Sequence, residues 1–158
     1  MSKKITPCLW FDGQAEEAAT YYASIFLNSR VGKIARYGSA GPGPEGSVTT
    51  VNFELEGTEF VGLNGGPDFA FNEAVSFQIG CADQAEVDYY WDALTEGGAE
   101  GPCGWLKDKF GLSWQIVPDR LVELIEDPDP ERSQRAMACM MGQKKIDIAA
   151  VEAAAGGS

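Results

Sequence analysis

The chain has 158 residues, 44% of them hydrophobic and 11% aromatic, enough apolar matter for a packed core and too much for a disordered chain. Its formal charge of −12 at pH 7 argues against nucleic acid as a partner, because neutralising phosphates takes clustered Lys and Arg. No apolar run is long enough to span a bilayer, Met-Ser-Lys-Lys leads into no signal-like segment, and Cys8, Cys81, Cys103 and Cys139 form no CxxC pair, so a reduced, cytoplasmic protein is expected.

In chain order, Ile5, Pro7, Leu9 and Phe11 alternate with Thr6, Cys8 and Trp10, and this period of two predicts a half-buried strand over 5–11. Gly13 breaks it, and Ala18, Ala19, Tyr22, Ile25 and Phe26 then mark one face of a helix over 15–26. A strand over 30–37 leads to a Gly- and Pro-rich loop at 38–46, read as a mobile surface loop with a lid as an analogy. Strands over 48–55 and 58–63 make a hairpin around Glu56-Gly57. A second strand-to-helix passage follows. The strand spans 74–81, Asp83 and Glu86 cap a helix over 84–96, and Gly97-Gly98 stops it. Short strands are expected over 99–102, 105–107 and 112–117. Helices over 119–125, 130–141 and 146–155 come last, the first two parted by Pro128 and Pro130.

The chain repeats itself. Gln14-Ala15-Glu16 returns as Gln84-Ala85-Glu86, an offset of 84 − 14 = 70, and the same offset sets Thr6 against Ser76, Leu9 against Ile79 and Tyr21 against Trp91. The expected architecture is α+β: two βαβββ modules, about 5–66 and 74–118, related by a pseudo-twofold axis with a shared surface, plus C-terminal helices over 119–155, all in one domain over 1–158.

Three segments carry a resemblance. Pro7-Cys8-Leu9-Trp10-Phe11-Asp12-Gly13, Gly62-Leu63-Asn64-Gly65-Gly66-Pro67 with Phe69 and Phe71, and Cys103-Gly104-Trp105-Leu106-Lys107-Asp108-Lys109-Phe110-Gly111 with Ser113-Trp114-Gln115 resemble the PhnB-like branch of the vicinal oxygen chelate superfamily. That superfamily holds glyoxalase I, bleomycin-resistance proteins and extradiol dioxygenases, and the branch carries the label 3-demethylubiquinone-9 3-methyltransferase-like. The resemblance implies a half-open mixed β-barrel around one cavity between the modules. It also implies four metal-ligand positions, matched here near Thr6 or Pro7, at Gly62, at Ala74 or Ser76, and at Gln115. None is His or a carboxylate, the chain has no histidine, and sites of this type need imidazole and carboxylate donors. No metal and no cofactor are therefore expected.

The cavity-lining candidates are Thr6, Asn64, Ser76, Trp105, Trp114 and Gln115. Thr6 and Ser76 either present hydroxyls from equivalent strands or are small residues tolerated there. Asn64 lies two residues after Gly62 and so on the same face, where it either meets a ligand or serves a turn. Gln115, between apolar neighbours, needs a partner from ligand or protein. Trp105 and Trp114 form aromatic walls or core. Cys103 is the candidate nucleophile, though with no histidine to activate it a small buried thiol is the plainer reading, and Cys8, Cys81 and Cys139 read as core. The loop at 38–46 runs into a strand and contains Pro42 and Pro44, so it lacks the amide array of a nucleotide site.

The function expected on these grounds is metal-free binding of a small organic molecule, with or without an unassigned reaction. The alternative is sequestration of the bleomycin-resistance type, for a neutral or cationic compound as the acidic balance suits. A quinone-ring methyltransferase, as the branch label suggests, is a third reading. Met137, Met140 and Met141 with Ile146, Ile148 and Val151 offer apolar surface for a homodimer or for packing on the sheet.

Overall fold

The computed structural model describes residues 4–157. The chain divides into two compact units, one ending at Phe71 and the other starting at Asn72. The first is β1 (Cys8–Phe11), α1 (Ala15–Ile25), β2 (Arg30–Arg36), β3 (Val48–Leu55) and β4 (Thr58–Asn64). The second is β5 (Ser76–Cys81), α2 (Gln84–Thr95), β6 (Ala99–Glu100), β7 (Trp105–Lys107) and β8 (Ser113–Pro118), followed by α3 (Asp119–Ile125), α4 (Pro130–Met141) and α5 (Ile148–Ala155). The βαβββ plan is thus present twice, in an α+β chain.

Each unit holds one open four-stranded mixed sheet, ordered β1-β4-β3-β2 in the first and β5-β8-β7-β6 in the second, and neither closes into a barrel. The first strand of each pairs in parallel with the last, and the remaining pairings are antiparallel. The parallel pairing follows from the helix crossover that each sequence inserts after its first strand.

Strand periodicity sorts the side chains. In the first unit Leu9, Phe11, Val51, Phe53, Leu55 and Phe60 are buried together with Ala15, Ala18, Ala19, Tyr22 and Ile25 of α1. In the second, Ile79, Cys81, Leu106, Trp114 and Ile116 are buried with Val87, Tyr90, Trp91 and Leu94 of α2. Each sheet therefore has a face covered by its own helix and a face turned away from it.

The internal repeat is one residue out of step in the helices. Three residues (Asp12, Gly13, Gln14) separate β1 from α1, whereas only Ala82 and Asp83 separate β5 from α2. The first strands end 81 − 11 = 70 residues apart, whereas the helices start 84 − 15 = 69 apart. Tyr22, not Tyr21, is the buried counterpart of Trp91, and Gln14 and Gln84 hold different places. Gln14 is the N-cap of α1 and makes no side-chain cap bond. Gln84 is the first residue of α2, whose N-cap Asp83 accepts the Glu86 amide at 2.9 Å.

The C-terminal helices have their own core of Leu121, Leu124, Ala136, Ile146, Val151 and Ala155, against which Ile125, Cys139 and Met140 pack. Ile146 and Val151 are thus interior rather than surface, while Met141 is 62% exposed. The loop at 38–46 is closed at its neck, where Tyr37 N–H donates to the Ser47 carbonyl and Gly46 N–H to the Tyr37 carbonyl, both at 2.8 Å. No helix among the described residues is long and apolar enough to cross a membrane.

Candidate functional site

The face of the second sheet turned away from α2 carries the polar chemistry. Register sets Ser76 beside Ser113, Ser113 beside Lys107 and Lys107 beside Ala99, which makes one row of cross-strand neighbours. Gln78, Gln115 and Trp105 make the next row. Alternation of period two puts all seven on one face. A concavity of about 550 Å³ opens there, lined by Trp105, Lys107, Ser113, Cys103, Glu73 and Glu100 among others.

Ser113 is the unusual member. It is 0% exposed, and its Oγ has no hydrogen-bond partner among the described residues. A buried hydroxyl left unpaired costs about 1–3 kcal/mol, so such atoms are rare unless something else completes them. Its neighbours are occupied. Gln115 Nε2 donates to Ser76 Oγ at 2.8 Å, and Gln78 Nε2 donates to Gln115 Oε1 at 3.4 Å. Lys107 pairs with Glu73, and the ammonium holds the Glu73 carboxyl below its ordinary range.

Cys103 forms part of the rim. Its backbone is left-handed, with φ of 58°, and Gly104 follows at 83°. A residue with a Cβ pays steric strain in that region, which persists only where the surroundings hold it. Here Cys103 N–H donates to the Gln143 carbonyl and Gly104 N–H to the Lys144 carbonyl, each at 2.8 Å. The Cys103 Sγ lies 3.7 Å from Met141 Sδ.

Of the residues singled out in the sequence, Ser76, Trp105 and Gln115 share this face, and Cys103 borders it. Trp114 does not join them. One residue from Gln115, it points the other way, is 3% exposed, and its indole N–H donates to Asp108 Oδ2 at 2.9 Å. The expectation that Trp105 and Trp114 wall a single pocket fails on the strand period. Asp108 itself is 2% exposed and also accepts the Phe110 and Leu112 amides, so it fastens the β7–β8 turn.

In the first unit, Asn64 and Gly62 do share a face, but it is the face packed on α1. A Cβ at Gly62 would lie 3.2 Å from the Ala15 Cβ. The Asn64 side chain accepts the Ala15 amide at 2.9 Å and donates to the Val48 carbonyl at 3.1 Å, while its own carbonyl accepts the Tyr37 hydroxyl at 2.6 Å. Asn64 thereby ties α1, β3 and β4 together, and it also borders a concavity of about 500 Å³ next to the 38–46 loop. Thr6 is exposed and lines another, of about 510 Å³, with Arg30, Asn52, Glu54 and Glu59. Cys8, expected in the core, is exposed, because it alternates with Leu9.

Sheet register also corrects the metal positions. Gln115 pairs with Gln78, and the equivalent pair in the first sheet is Val61 with Cys8. Val61 thus takes the place assigned to Gly62. Thr6, Cys8 and Val61 in the first unit offer one hydroxyl and one thiol, and Ser76, Gln78 and Gln115 in the second offer one hydroxyl and two amides; neither group has the imidazole or carboxylate donors that a hard or borderline divalent ion takes. Among the described residues no three His, Cys, Asp or Glu side chains group to hold a metal.

Comparison with known proteins decides the family. A sequence model described as 3-demethylubiquinone-9 3-methyltransferase matches residues 3–117. The chain belongs to this family. A solved structure described as a putative 3-demethylubiquinone-9 3-methyltransferase, PhnB protein, from Bacillus cereus is 37% identical; the match covers 73% of this chain and 99% of that one, at a TM-score of 0.66. Protein PA1353 from Pseudomonas aeruginosa, 21% identical, matches over 75% of this chain and 100% of that one at 0.59. The fosfomycin resistance protein FosX from Listeria monocytogenes, 14% identical, covers 78% of this chain and 96% of that one at 0.55 and shares the fold. The fold of this family is that of the vicinal oxygen chelate superfamily. No curated protein matches. The family match ends at residue 117, ahead of α3.

The side chains lining this concavity that the sequence did not single out are Ser113, Lys107 and Glu73. Lys107 and Ser113 sit at even spacing from Trp105 and Gln115, a signal that was present. Glu73 precedes β5 in a connecting segment, where periodicity carries no information.

Proposed function

We propose that this protein binds a small, planar, largely apolar organic molecule bearing an oxygen acceptor, on the face of the second sheet turned away from α2. The concavity lined by Trp105, Lys107 and Ser113 carries this reading, and the unpartnered Ser113 hydroxyl, closed to solvent in the free protein, becomes a donor to a ligand oxygen once its side chain turns toward the cavity. Trp105 supplies an aromatic surface for the ring, and Lys107, paired with Glu73, supplies a charge at the edge. No metal enters the proposal, in keeping with the donor set above. A cytoplasmic location belongs to it as well, and the four unpaired cysteines support that.

The test is a fragment screen read by amide chemical shifts. Binders should move the resonances of Glu73, Trp105, Lys107 and Ser113 together. Hits that cluster instead around Thr6, Arg30, Asn52 and Glu59, or that move nothing, would overturn the proposal.

Two refinements are separable. Sequestration predicts recovery of the ligand unchanged, whereas a reaction predicts product, and the strained Cys103 on the rim is the observation that favours testing for one. The family name describes a methyltransferase, but the 38–46 segment links β2 to β3 and leads to no helix N-terminus, so calorimetry with S-adenosylmethionine should register no binding. The homodimer remains part of the proposal on the strength of exposed Met141, and sedimentation velocity that finds only monomer removes it.

A further inference from the structure

Residues beyond the family match brace the rim of this site. The connection between α4 and α5 supplies the Gln143 and Lys144 carbonyls that receive the Cys103 and Gly104 amides, and these two amides belong to consecutive left-handed residues. Gly104 has no room to adjust: a Cβ there would meet the Ile116 carbonyl oxygen at 2.8 Å and Ile146 Cγ1 at 3.3 Å. The loop is short and self-bonded, with Gly101 N–H donating to the Trp105 carbonyl at 2.8 Å and Trp105 N–H to the Pro102 carbonyl at 3.0 Å. A shift at Cys103 therefore carries Trp105 with it.

The connection is in turn anchored to α2. Gln84 Nε2 donates to the Ile146 carbonyl and Gln84 Oε1 accepts the Ile148 amide, both at 2.9 Å. Lys145 pairs with Asp88 at 2.9 Å, one helical turn on. The one-residue shortening between β5 and α2 is what sets Gln84 as the first residue of its helix and brings its amide to this connection.

We propose that the α4–α5 connection braces the Cys103–Gly104 rim of the second-sheet site from behind, and that Gln84 is the positioning residue that holds it. Resting on the binding site proposed above, this assigns the C-terminal helices a role in holding that site in shape. Loosening the connection lets Cys103 and Gly104 leave their left-handed geometry and moves Trp105.

The test uses the whole 158-residue chain with Gln84→Leu, and 8-anilinonaphthalene-1-sulfonate as the probe, an aromatic with an oxyanion. Hydrogen exchange by NMR should show the Cys103 and Gly104 amides exchanging about tenfold faster, as loss of two ordinary hydrogen bonds implies. Probe affinity should fall by about threefold or more, with a cooperative melt retained. Should Gln84→Leu fail to fold, Lys145→Met removes the outer anchor alone and should speed the same two amides about twofold. Unchanged exchange overturns the proposal, and so does faster exchange with unchanged probe affinity. A Trp105→Leu control tells the two readings apart. If it abolishes probe binding, only the bracing role is refuted; if it too changes nothing, the site itself falls.

Discussion

Replacing Ser113 by alanine makes opposite changes to stability and to binding. The free protein holds a fully buried hydroxyl with no partner, a cost of about 1–3 kcal/mol that alanine removes. The gap left is one oxygen atom in the row between Ser76 and Lys107, worth under about 1 kcal/mol of lost packing. Ser113→Ala should therefore stabilise the free protein by about 1 kcal/mol. For a chain of 158 residues that raises Tm by about 2–4 °C. The bound state loses a hydrogen bond of about 0.5–1.5 kcal/mol, so affinity for a site ligand or for the naphthalene sulfonate probe should weaken by roughly two- to twelvefold. Urea unfolding and a fluorescence titration on the same samples read both changes. A variant less stable than its parent by about 1 kcal/mol, with probe affinity unchanged, would show that the hydroxyl is already paired in the free protein, and the case for the site would be lost.

Asp108→Ala should cost about 3–5 kcal/mol, since it leaves the Trp114 indole and the Phe110 and Leu112 amides without their acceptor, and a loss under about 1 kcal/mol in urea unfolding would contradict the role given to that carboxylate. Asp108→Asn should recover only part of this, because a side-chain amide offers one acceptor where both carboxylate oxygens are now used. Asn64→Leu should cost about 1–3 kcal/mol and expose the Ala15 amide to exchange while sparing the second unit; equal loss of protection in both units would refute the assignment. Burial, helped by the carboxylates of Glu86, Asp119 and Asp83, pushes the Cys81 thiol up to about 12. In the unfolded chain it ionises near 8.5, so between those values the folded state binds the extra proton and stability should fall as pH rises. Cys81→Ala should flatten that slope between about pH 9 and 11, and iodoacetamide at pH 8 should leave Cys81 unmodified while reaching Cys103.

Local pattern carries much of this molecule. Alternating apolar residues mark β1, β3, β5 and β8, and Gly and Pro mark the breaks, because backbone torsion limits and burial of one face act on neighbours in sequence. The doubled βαβββ plan and the family resemblance were legible for the same reason. Alternation marked Gln115 as facing away from Trp114 and Ile116, yet Trp114 was grouped with it, and only strand pairing set Ser76, Trp105 and Gln115 on a common face and Val61 in the place given to Gly62.

Tertiary structure decided the rest, since hydrogen-bond partners and depth are properties of distant segments meeting. The Gln-Ala-Glu repeat looks like a repeated role, yet a linker one residue shorter makes Gln84 a clamp on the C-terminal helices and leaves Gln14 without a side-chain cap bond. Nothing near Ser113 in sequence announces an unpaired hydroxyl. That follows only when β5, β7 and β8 assemble around it, with Gln115 turned to Ser76 and Lys107 to Glu73.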